Sequence, residues 1–125
     1  MSNRRLARGP LSKVDKPWGS EELLASTDRY ALKLIRVQKG SRPSLQFHRR
    51  KSESLVLLSG KLRVEMGESR DALAADEILP GECLDVPRGR VHRVSAIENS
   101  VIIEVSTPEL DDVVRIEDDY GRTEK

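Results

Sequence analysis

The sequence has little of what marks a secreted or membrane protein. Its 125 residues include one cysteine, Cys83, so an internal disulfide cannot form, as is usual in a reducing compartment. No apolar run approaches the roughly 18 residues that span a bilayer, and the longest, around Leu55–Leu58, has the length of a strand. Residues 1–10 are basic but lack the apolar segment of a signal peptide. We therefore expect a cytoplasmic protein.

The sequence also lacks an excess of charge of either sign. Its 22 lysines and arginines oppose 21 acidic residues, so the net charge of +1 creates no strong field for nucleic acid or anionic lipid. We expect neither nucleic acid nor a membrane as a partner. The charges are nevertheless segregated, because residues 1–16 are mostly basic and those from Glu109 onward are mostly acidic. We predict a basic arm over residues 1–12, one domain over 13–122 and an acidic C-terminal tail. Both ends are expected to be partly solvated surface segments, or to attract each other.

What is present is a β pattern. Apolar residues alternate with polar ones over short segments rich in β-branched residues, and Gly or Pro interrupts the chain about every ten residues. Many short strands separated by turns are typical of a small sandwich or barrel. The sequence therefore predicts an all-β fold. The strand candidates are Leu32–Val37, Leu45–Phe47, Leu55–Leu58, Leu62–Met66, Leu84–Val86, Val91–Val94 and Val101–Val105.

Two segments carry more specific expectations about local structure. Ser59-Gly60 separates Leu55–Leu58 from the alternating segment Leu62–Met66, which predicts a β-hairpin with its turn near Gly60. The segment Asp71–Asp76 contains Ala and Leu, which favours a single helical turn.

The sole tryptophan and the sole cysteine carry expectations about packing. Trp18, the sole tryptophan, is expected to pack the N-terminal arm onto the domain, with a surface for sugar stacking as the alternative. Cys83 stands beside Leu84 on a strand candidate, and no histidine neighbours it in sequence. We therefore expect Cys83 to be a small buried apolar residue and not a nucleophile.

The two histidines stand at positions that could direct them into one cavity. Gln46 and His48 are two residues apart, so on a strand both side chains leave the same face. Glu53 follows five residues later, and His92 lies on a separate strand candidate. If the sheet closes into a barrel, two imidazoles, a carboxylate and an amide oxygen would suit Zn, Mn, Fe, Co or Ni. From the residues alone, a metal site and ordinary surface or core histidines both stay open.

The spacing of these residues resembles the two motifs of the cupin superfamily. The first motif comprises Gly40, Gln46-x-His48, Glu53 and Gly60, and the second comprises Gly81, Pro87-x-Gly89 and His92. In cupins these motifs hold one metal ion inside a small jelly-roll β-barrel of antiparallel strands. The resemblance implies that fold here, with one divalent transition metal bound by Gln46, His48, Glu53 and His92.

The flanking segments narrow the resemblance to type II mannose-6-phosphate isomerases. The similar segments are Lys16-Pro17-Trp18-Gly19, Ser44-Leu45-Gln46-Phe47-His48, His92-Arg93, Ile103-Glu104-Val105 and the tail from Arg115 to Arg122. In that family the isomerase is often the C-terminal module of a longer enzyme with a mannose-1-phosphate guanylyltransferase. This sequence shows no Gly-rich nucleotidyl-transfer loop, so the resemblance implies a stand-alone isomerase-type cupin. It also implies a homodimer, because cupins commonly pair through an outer sheet or exchanged N-terminal strands.

The chain departs from the family pattern in the loop after His48. Arg50, Lys51 and Ser54 stand where the family has a second histidine, an arginine and a final histidine. A lysine keeps the charge of arginine but lacks the planar fork that grips a phosphate or carboxylate through two hydrogen bonds. Arg49 and Arg50 are candidates to compensate. If they do not, the protein could keep its metal and fold while acting on another sugar, or on none.

The resemblance implies a metal-dependent aldose–ketose isomerase acting on mannose 6-phosphate or a related sugar phosphate. The metal would polarise the carbonyl and adjacent hydroxyl of the open-chain sugar, favouring an enediolate, and a base would move a proton between C1 and C2. Candidate bases are Lys51, Glu53 and Glu104, and candidate phosphate-binding residues are Lys16, Arg93 and Arg122. Two other functions stay open: a non-haem iron or other metal oxygenase, and a cupin that binds a sugar or metabolite without turnover.

Overall fold

The regular secondary structure of this chain is β-strand. The computed structural model describes residues 6 and 8–123, and within them the all-β prediction is confirmed. This described part contains no helix long and apolar enough to cross a membrane. The strands are β1 (Ser12–Lys16), β2 (Gly19–Ser26), β3 (Ala31–Val37), β4 (Leu45–Phe47), β5 (Glu53–Ser59), β6 (Leu62–Gly67), β7 (Leu73–Ile78), β8 (Cys83–Val86), β9 (Val91–Ala96), β10 (Ser100–Ser106) and β11 (Val114–Glu117).

The strands form two antiparallel sheets with the hydrophobic core between them. One sheet has six strands in the order β1-β2-β3-β10-β5-β8, and the other has five in the order β11-β4-β9-β6-β7. Many neighbours within a sheet are distant in sequence, in keeping with the predicted jelly roll. Both sheets contribute to one buried cluster, which comprises Trp18, Ile35, Val37, Leu55, Leu57, Leu62, Val64, Ile78, Val86, Val94, Ala96 and Ile102.

Strand β10 shows how alternation places a carboxyl group in the interior. It lies between β3 and β5, with Ile102 opposite Ile35 and Leu57. Successive side chains of a strand point to opposite faces. Ile102 and Glu104 are therefore both buried, whereas Val105 is 45% exposed on the outer face.

The predicted hairpin around Gly60 is wrong, although both of its strands exist. Strand β5 pairs with β10 and β8 in one sheet, whereas β6 pairs with β7 and β9 in the other. The turn thus carries the chain from one sheet to the other. Gly60 has a φ of +94° and packs so closely that an added Cβ would lie 2.3 Å from the Asn99 carbonyl oxygen. A glycine between two alternating segments occurs both in a hairpin and in a connection between sheets. The sequence alone does not distinguish the two, because the partner of each strand is selected by pairing with segments distant in sequence.

The predicted helical turn at Asp71–Asp76 is also wrong. Residues Leu73–Ile78 form β7, which pairs with β6 along its whole length. Strand β7 is the edge of its sheet and is mostly exposed, so it carries no apolar alternation. Its conformation depends on the hydrogen bonds to β6. The sequence prediction missed β1 and β11, which are likewise edge strands, and β2.

The predictions for Trp18 and Cys83 have opposite outcomes. Trp18 is 4% exposed and belongs to the core cluster, as expected. Cys83 is exposed, so its predicted burial is wrong. Strand β8 is a sheet edge, and its alternation buries Val86 while Cys83 points outward.

The acidic tail lies at the surface, as expected, with half-buried and exposed residues over 110–122, but it is not a loose end. Strand β11 adds to the edge of the five-stranded sheet by pairing with β4. Asp118 forms an ion pair with Arg122, and Asp119 forms one with Arg42, so within the described residues these acids do not bind the basic arm. The tail is therefore an integral part of the fold.

The basic arm is described only in part. Arg4 and Arg5 lie outside the described residues, and Arg8 is exposed. Strand β1 begins at Ser12 and pairs with β2. The division into an arm over 1–12 and a domain over 13–122 stays a prediction.

Substitution of Gly60 tests the close approach between the sheet-crossing turn and β10. Gly81 is a matched control, because its φ of +90° is similar but an added Cβ would meet nothing within 4 Å. We expect Gly81→Ala to lower the free energy of unfolding by about 1–2 kcal/mol through backbone conformation alone. Gly60→Ala should cost about 1–3 kcal/mol more, because it adds a steric clash. Urea unfolding measures both, and equal losses would show that the close packing at Gly60 is unimportant.

Candidate metal centre

Three buried residues converge between the two sheets. His48 follows β4, His92 lies on β9, and Glu53 begins β5 in the opposite sheet. Strands β4 and β9 are neighbours, with Gln46 directly opposite His92. One potential ligand atom from each of His48, Glu53 and His92 lies within 4.8 Å of the other two. This cluster could hold a metal ion.

Backbone carbonyls orient both imidazole rings. The Nδ1 atom of His48 lies 2.6 Å from the Asp112 carbonyl oxygen, and Nδ1 of His92 lies 3.0 Å from that of Arg90. A carbonyl oxygen can only accept, so each Nδ1 carries a hydrogen, and in the neutral tautomer of such a ring the Nε2 lone pair is available to a metal. Burial lowers the pKa of His92 and favours its neutral form. A neutral imidazole with its second nitrogen held in this way is suited to binding a metal.

Two atoms of the cluster that could bind a metal have no hydrogen-bond partner among the described residues. Nε2 of His48 is 2.7 Å from Oε1 of Glu53, yet neither buried atom makes a hydrogen bond of acceptable geometry in the described residues. Buried polar atoms are rarely left in this state. Two imidazoles and a carboxylate with converging lone pairs fit a divalent transition metal. The residues therefore fit the ion that the cupin resemblance implies.

The predicted fourth ligand, Gln46, lies at the same site but is engaged elsewhere. It is half-buried, and its Oε1 accepts a hydrogen bond of 2.7 Å from Ser44 Oγ. A second lone pair remains on that oxygen. Its role as a ligand stays a prediction.

A cavity of about 270 Å³ lies next to the cluster. All nine residues that the sequence singled out contribute to its wall, although their individual roles stay predictions. They are Lys16, Gln46, His48, Lys51, Glu53, His92, Arg93, Glu104 and Arg122. The wall also contains charged residues that the sequence analysis did not select, namely Glu21, Lys33, Asp111 and Arg115.

Lys51 joins two buried carboxyl groups in the cavity wall. Its Nζ is 3.4 Å from Glu53 Oε1 and 3.6 Å from Glu104 Oε2. Burial would lower the pKa of Lys51, but the two carboxylates outweigh it and raise this pKa. Burial would raise the pKa of Glu53, but His48 and Lys51 outweigh it and hold the pKa at about 2. Glu104 is less well compensated, so burial and the Glu53 charge raise its pKa to about 7.

The expected compensation by Arg49 or Arg50 is not found. Both side chains are exposed, and neither lines the cavity. The Arg49 guanidinium lies over the Phe47 ring instead, 5.7 Å from its centroid. Lys51 is therefore the residue of this loop that brings a positive charge into the cavity.

Asp112 fixes the backbone of the loop that follows His48. Its carboxylate accepts hydrogen bonds from the backbone N–H groups of Arg49, Arg50 and Lys51 at 3.1, 2.6 and 2.8 Å. These bonds lower the pKa of Asp112 to about 2, although partial burial opposes them. Its carbonyl also holds His48, so one tail residue positions two parts of the site. Nothing in the sequence distinguishes Asp112 from the other acids of the tail.

The predicted phosphate-binding residues already contact acidic groups. Lys16 lies 3.4 Å from Glu21, which also contacts Lys33 at 3.0 Å. Arg93 contacts Asp119 at 3.5 Å. The Nε and Nη2 atoms of Arg122 donate to the two carboxylate oxygens of Asp118 at 2.8 and 2.9 Å. These pairs neutralise much of the positive charge in the cavity wall.

Comparisons with known proteins are consistent with this geometry. A family model described as mannose-6-phosphate isomerase C-terminal matches residues 4–118. The structure of KdgF from Halomonas sp. superposes with a TM-score of 0.70 at 20% identity, covering 80% of this chain and 90% of that one. That similarity concerns the fold, which is the cupin fold.

Two similar proteins are much longer than this chain. The xanthan biosynthesis protein XanB of Xanthomonas campestris pv. campestris (strain ATCC 33913) is 34% identical over 116 residues, covering 89% of this chain and 24% of XanB. The mannose-1-phosphate guanylyltransferase ManC of Salmonella typhimurium (strain LT2) is 34% identical over 118 residues, covering 88% and 23%. The chain thus spans about a quarter of these relatives.

Removing the Asp112 carboxylate tests its role in holding the loop. We expect Asp112→Ala to lower the free energy of unfolding by about 1–2 kcal/mol, because three backbone N–H groups lose a charged acceptor. Asp111→Ala is the control, since the exposed Asp111 side chain forms no ion pair with the described residues, and it should change stability by less than about 0.5 kcal/mol. Urea unfolding at neutral pH compares the two variants. Equal midpoints would contradict the assigned role.

Proposed function

The chain belongs to the mannose-6-phosphate isomerase C-terminal family, and on this premise we propose that it is a metal-dependent aldose–ketose isomerase. Its proposed substrate is mannose 6-phosphate or a related sugar phosphate, and its proposed compartment is the cytoplasm. The observation that carries the proposal is the buried cluster of His48, Glu53 and His92 beside a cavity with several basic residues. Such a cavity combines a site for a divalent metal with positive charge for an anionic substrate.

The size of the cavity supports a small substrate. Its volume of about 270 Å³ lies near the lower end of small-molecule sites, which begin at about 300 Å³. A single sugar phosphate is of suitable size. Trp18, Ile35 and Leu55 form apolar parts of the wall, and the charged residues are placed among them.

The metal would be held by His48, Glu53 and His92, with Gln46 as a further candidate. A bound divalent ion supplies Lewis acidity toward the carbonyl and adjacent hydroxyl oxygens of the sugar. The protein orients the two imidazoles through the carbonyls of Arg90 and Asp112, so the donor set is organised in advance.

Glu104 is the proposed proton-transfer residue. It lines the cavity, is buried, and its Oε2 has no hydrogen-bond partner among the described residues. Of the other two candidates, Glu53 belongs to the metal cluster and Lys51 is engaged by two carboxylates. A Glu104 carboxylate would take a proton from one sugar carbon and return it to the next, while the Lys51 ammonium keeps that carboxylate oriented.

The isomerase proposal is tested with a coupled assay of mannose 6-phosphate conversion to fructose 6-phosphate. Chelator-stripped protein receives Zn, Mn, Co, Ni or Fe separately. We expect at least one metal to restore turnover, and His92→Ala and Glu53→Gln to abolish it, because the first removes a donor of the cluster and the second replaces its charged carboxylate with a weaker neutral amide oxygen. Glu77→Gln makes the same chemical change as Glu53→Gln at an exposed site outside the cavity, and should retain activity.

Two results would contradict parts of the proposal. No turnover with any metal would exclude mannose 6-phosphate as the substrate and favour another sugar phosphate or a binding function. Turnover that survives both cluster substitutions would exclude the metal role of these residues. Metal content measured on the purified variants separates loss of the ion from loss of the fold.

We also propose that the chain forms a homodimer through the outer face of the six-stranded sheet. Leu34, Ile103 and Val56 lie side by side on β3, β10 and β5. Next to them, Val105 is 45% exposed and Leu58 is 51% exposed. Large contiguous apolar patches on soluble domains often mark an interface, and here the proposed occupant is the same face of a second copy.

Light scattering tests the dimer. We expect a mass near twice the chain mass of 14.1 kDa, and a shift to the monomer mass in Val105→Glu, because a charge would be buried in the interface. Leu79→Glu places the same charge at a 51% exposed loop position outside the sheet and should leave the dimer intact. A wild-type mass of about 14.1 kDa would refute the dimer.

A further inference from the structure

The basic residues of the cavity wall differ in whether an acid neutralises them. Lys16 and Lys33 share Glu21, and Lys51 lies between Glu53 and Glu104. Arg93 and Arg122 contact tail aspartates. A substrate anion would have to compete with these carboxylates for the same cations.

Arg115 is the exception among the cavity-lining cations that the structure describes. Its guanidinium forms no ion pair or side-chain hydrogen bond with any residue in 6 or 8–123. The Nε atom is inaccessible to water and also lacks an acceptor. A charged donor in that position is costly, because it has lost water without gaining a partner. The cavity therefore contains one positive group with unused capacity to bind an anion.

The register of three strands relates Arg115 to the metal cluster. Arg115 on β11 is opposite Gln46 on β4, and Gln46 is opposite His92 on β9. Neighbouring strands are about 4.8 Å apart, so the backbones of Arg115 and His92 are separated by about 10 Å. That separation leaves room for a short carbon chain between a metal bound at His92 and an anion bound at Arg115.

We propose that Arg115 binds the phosphate group of the substrate and selects sugars whose phosphate is several carbons away from the reacting carbonyl. The inference rests on the proposed function, from which it takes a sugar phosphate as the substrate. A guanidinium can hold two phosphate oxygens at once, which a lysine ammonium cannot do with the same geometry. In this arrangement Lys16, Arg93 and Arg122 keep their acidic partners and shape the cavity around the phosphate.

Direct binding measurements test Arg115 without requiring turnover. Isothermal titration calorimetry compares mannose 6-phosphate, inorganic phosphate and mannose on wild type, Arg115→Gln and Arg115→Lys. We expect Arg115→Gln to weaken binding of both phosphate compounds by about tenfold or more, and Arg115→Lys to weaken it less. Any binding of mannose should be unaffected. Arg63→Gln is the matched control, since Arg63 is exposed and outside the cavity, and it should bind like wild type.

Thermal unfolding distinguishes anion binding from a structural role. Arg115 has no side-chain partner among the described residues and its buried donor is costly, so Arg115→Gln should melt at or above the wild-type temperature in the absence of phosphate. The proposal would be overturned if this variant melted clearly lower, if it bound phosphate as well as wild type, or if wild type bound neither phosphate compound. The proposal would also be overturned if phosphate binding were lost on substitution of Arg122 or Lys16 but kept on substitution of Arg115, because the phosphate site would then belong to those residues.

The same measurements separate this inference from the proposed isomerase activity. Arg115-dependent binding of mannose 6-phosphate without turnover would retain the inference and reject the isomerase. Turnover with an unchanged KM in Arg115→Gln would retain the isomerase and reject the inference.

Discussion

The burial of ionisable side chains between two apolar sheets is the constraint on which this structure depends. Glu53 and Glu104 both lie within ion-pair distance of the Lys51 ammonium, and His48 contacts Glu53. Charges removed from water are costly unless partners compensate them closely. The strands that carry these residues must therefore keep their register. The incomplete compensation of Glu104 leaves a buried carboxyl group facing the cavity, where the proposed chemistry needs one.

The C-terminal tail supports the metal cluster and completes one wall of the cavity. Asp112 holds the loop after His48 through three backbone N–H groups and orients the His48 ring through its carbonyl. Two residues later β11 begins and extends the five-stranded sheet, bringing Arg115 opposite Gln46. The tail thus supplies support for the metal cluster and a cation to the cavity. Its acidic composition alone suggested a solvated end, because composition does not reveal which acids accept hydrogen bonds from a distant loop.

Much of the fold was predictable where a strand is half-buried between neighbours. Strands β3, β5 and β10 show apolar alternation because one face packs against the core. Strand β7 was mistaken for a helical turn, since an exposed edge strand needs no apolar alternation. The turn at Gly60 was assigned to the wrong kind of connection, because its glycine serves a close approach to Asn99 and Ser100 and not a hairpin. The exposure of Cys83 was likewise not predictable from the local sequence, since it follows from the position of β8 at the edge of its sheet.

By itself the sequence determined which residues are candidate donors and how they are spaced along the chain. Gln46, His48, Glu53 and His92 follow spacings that resemble the two cupin motifs, and strand alternation is a local property that can be read without a structure. Only the tertiary structure decided that His48, Glu53 and His92 converge within 4.8 Å, and that Arg115, unlike the other cavity-lining lysines and arginines, forms no ion pair with any described residue. The physical reason is that convergence and charge compensation depend on which distant strands and side chains become neighbours. The packing of the whole chain determines these neighbours, and they cannot be predicted from a local sequence pattern.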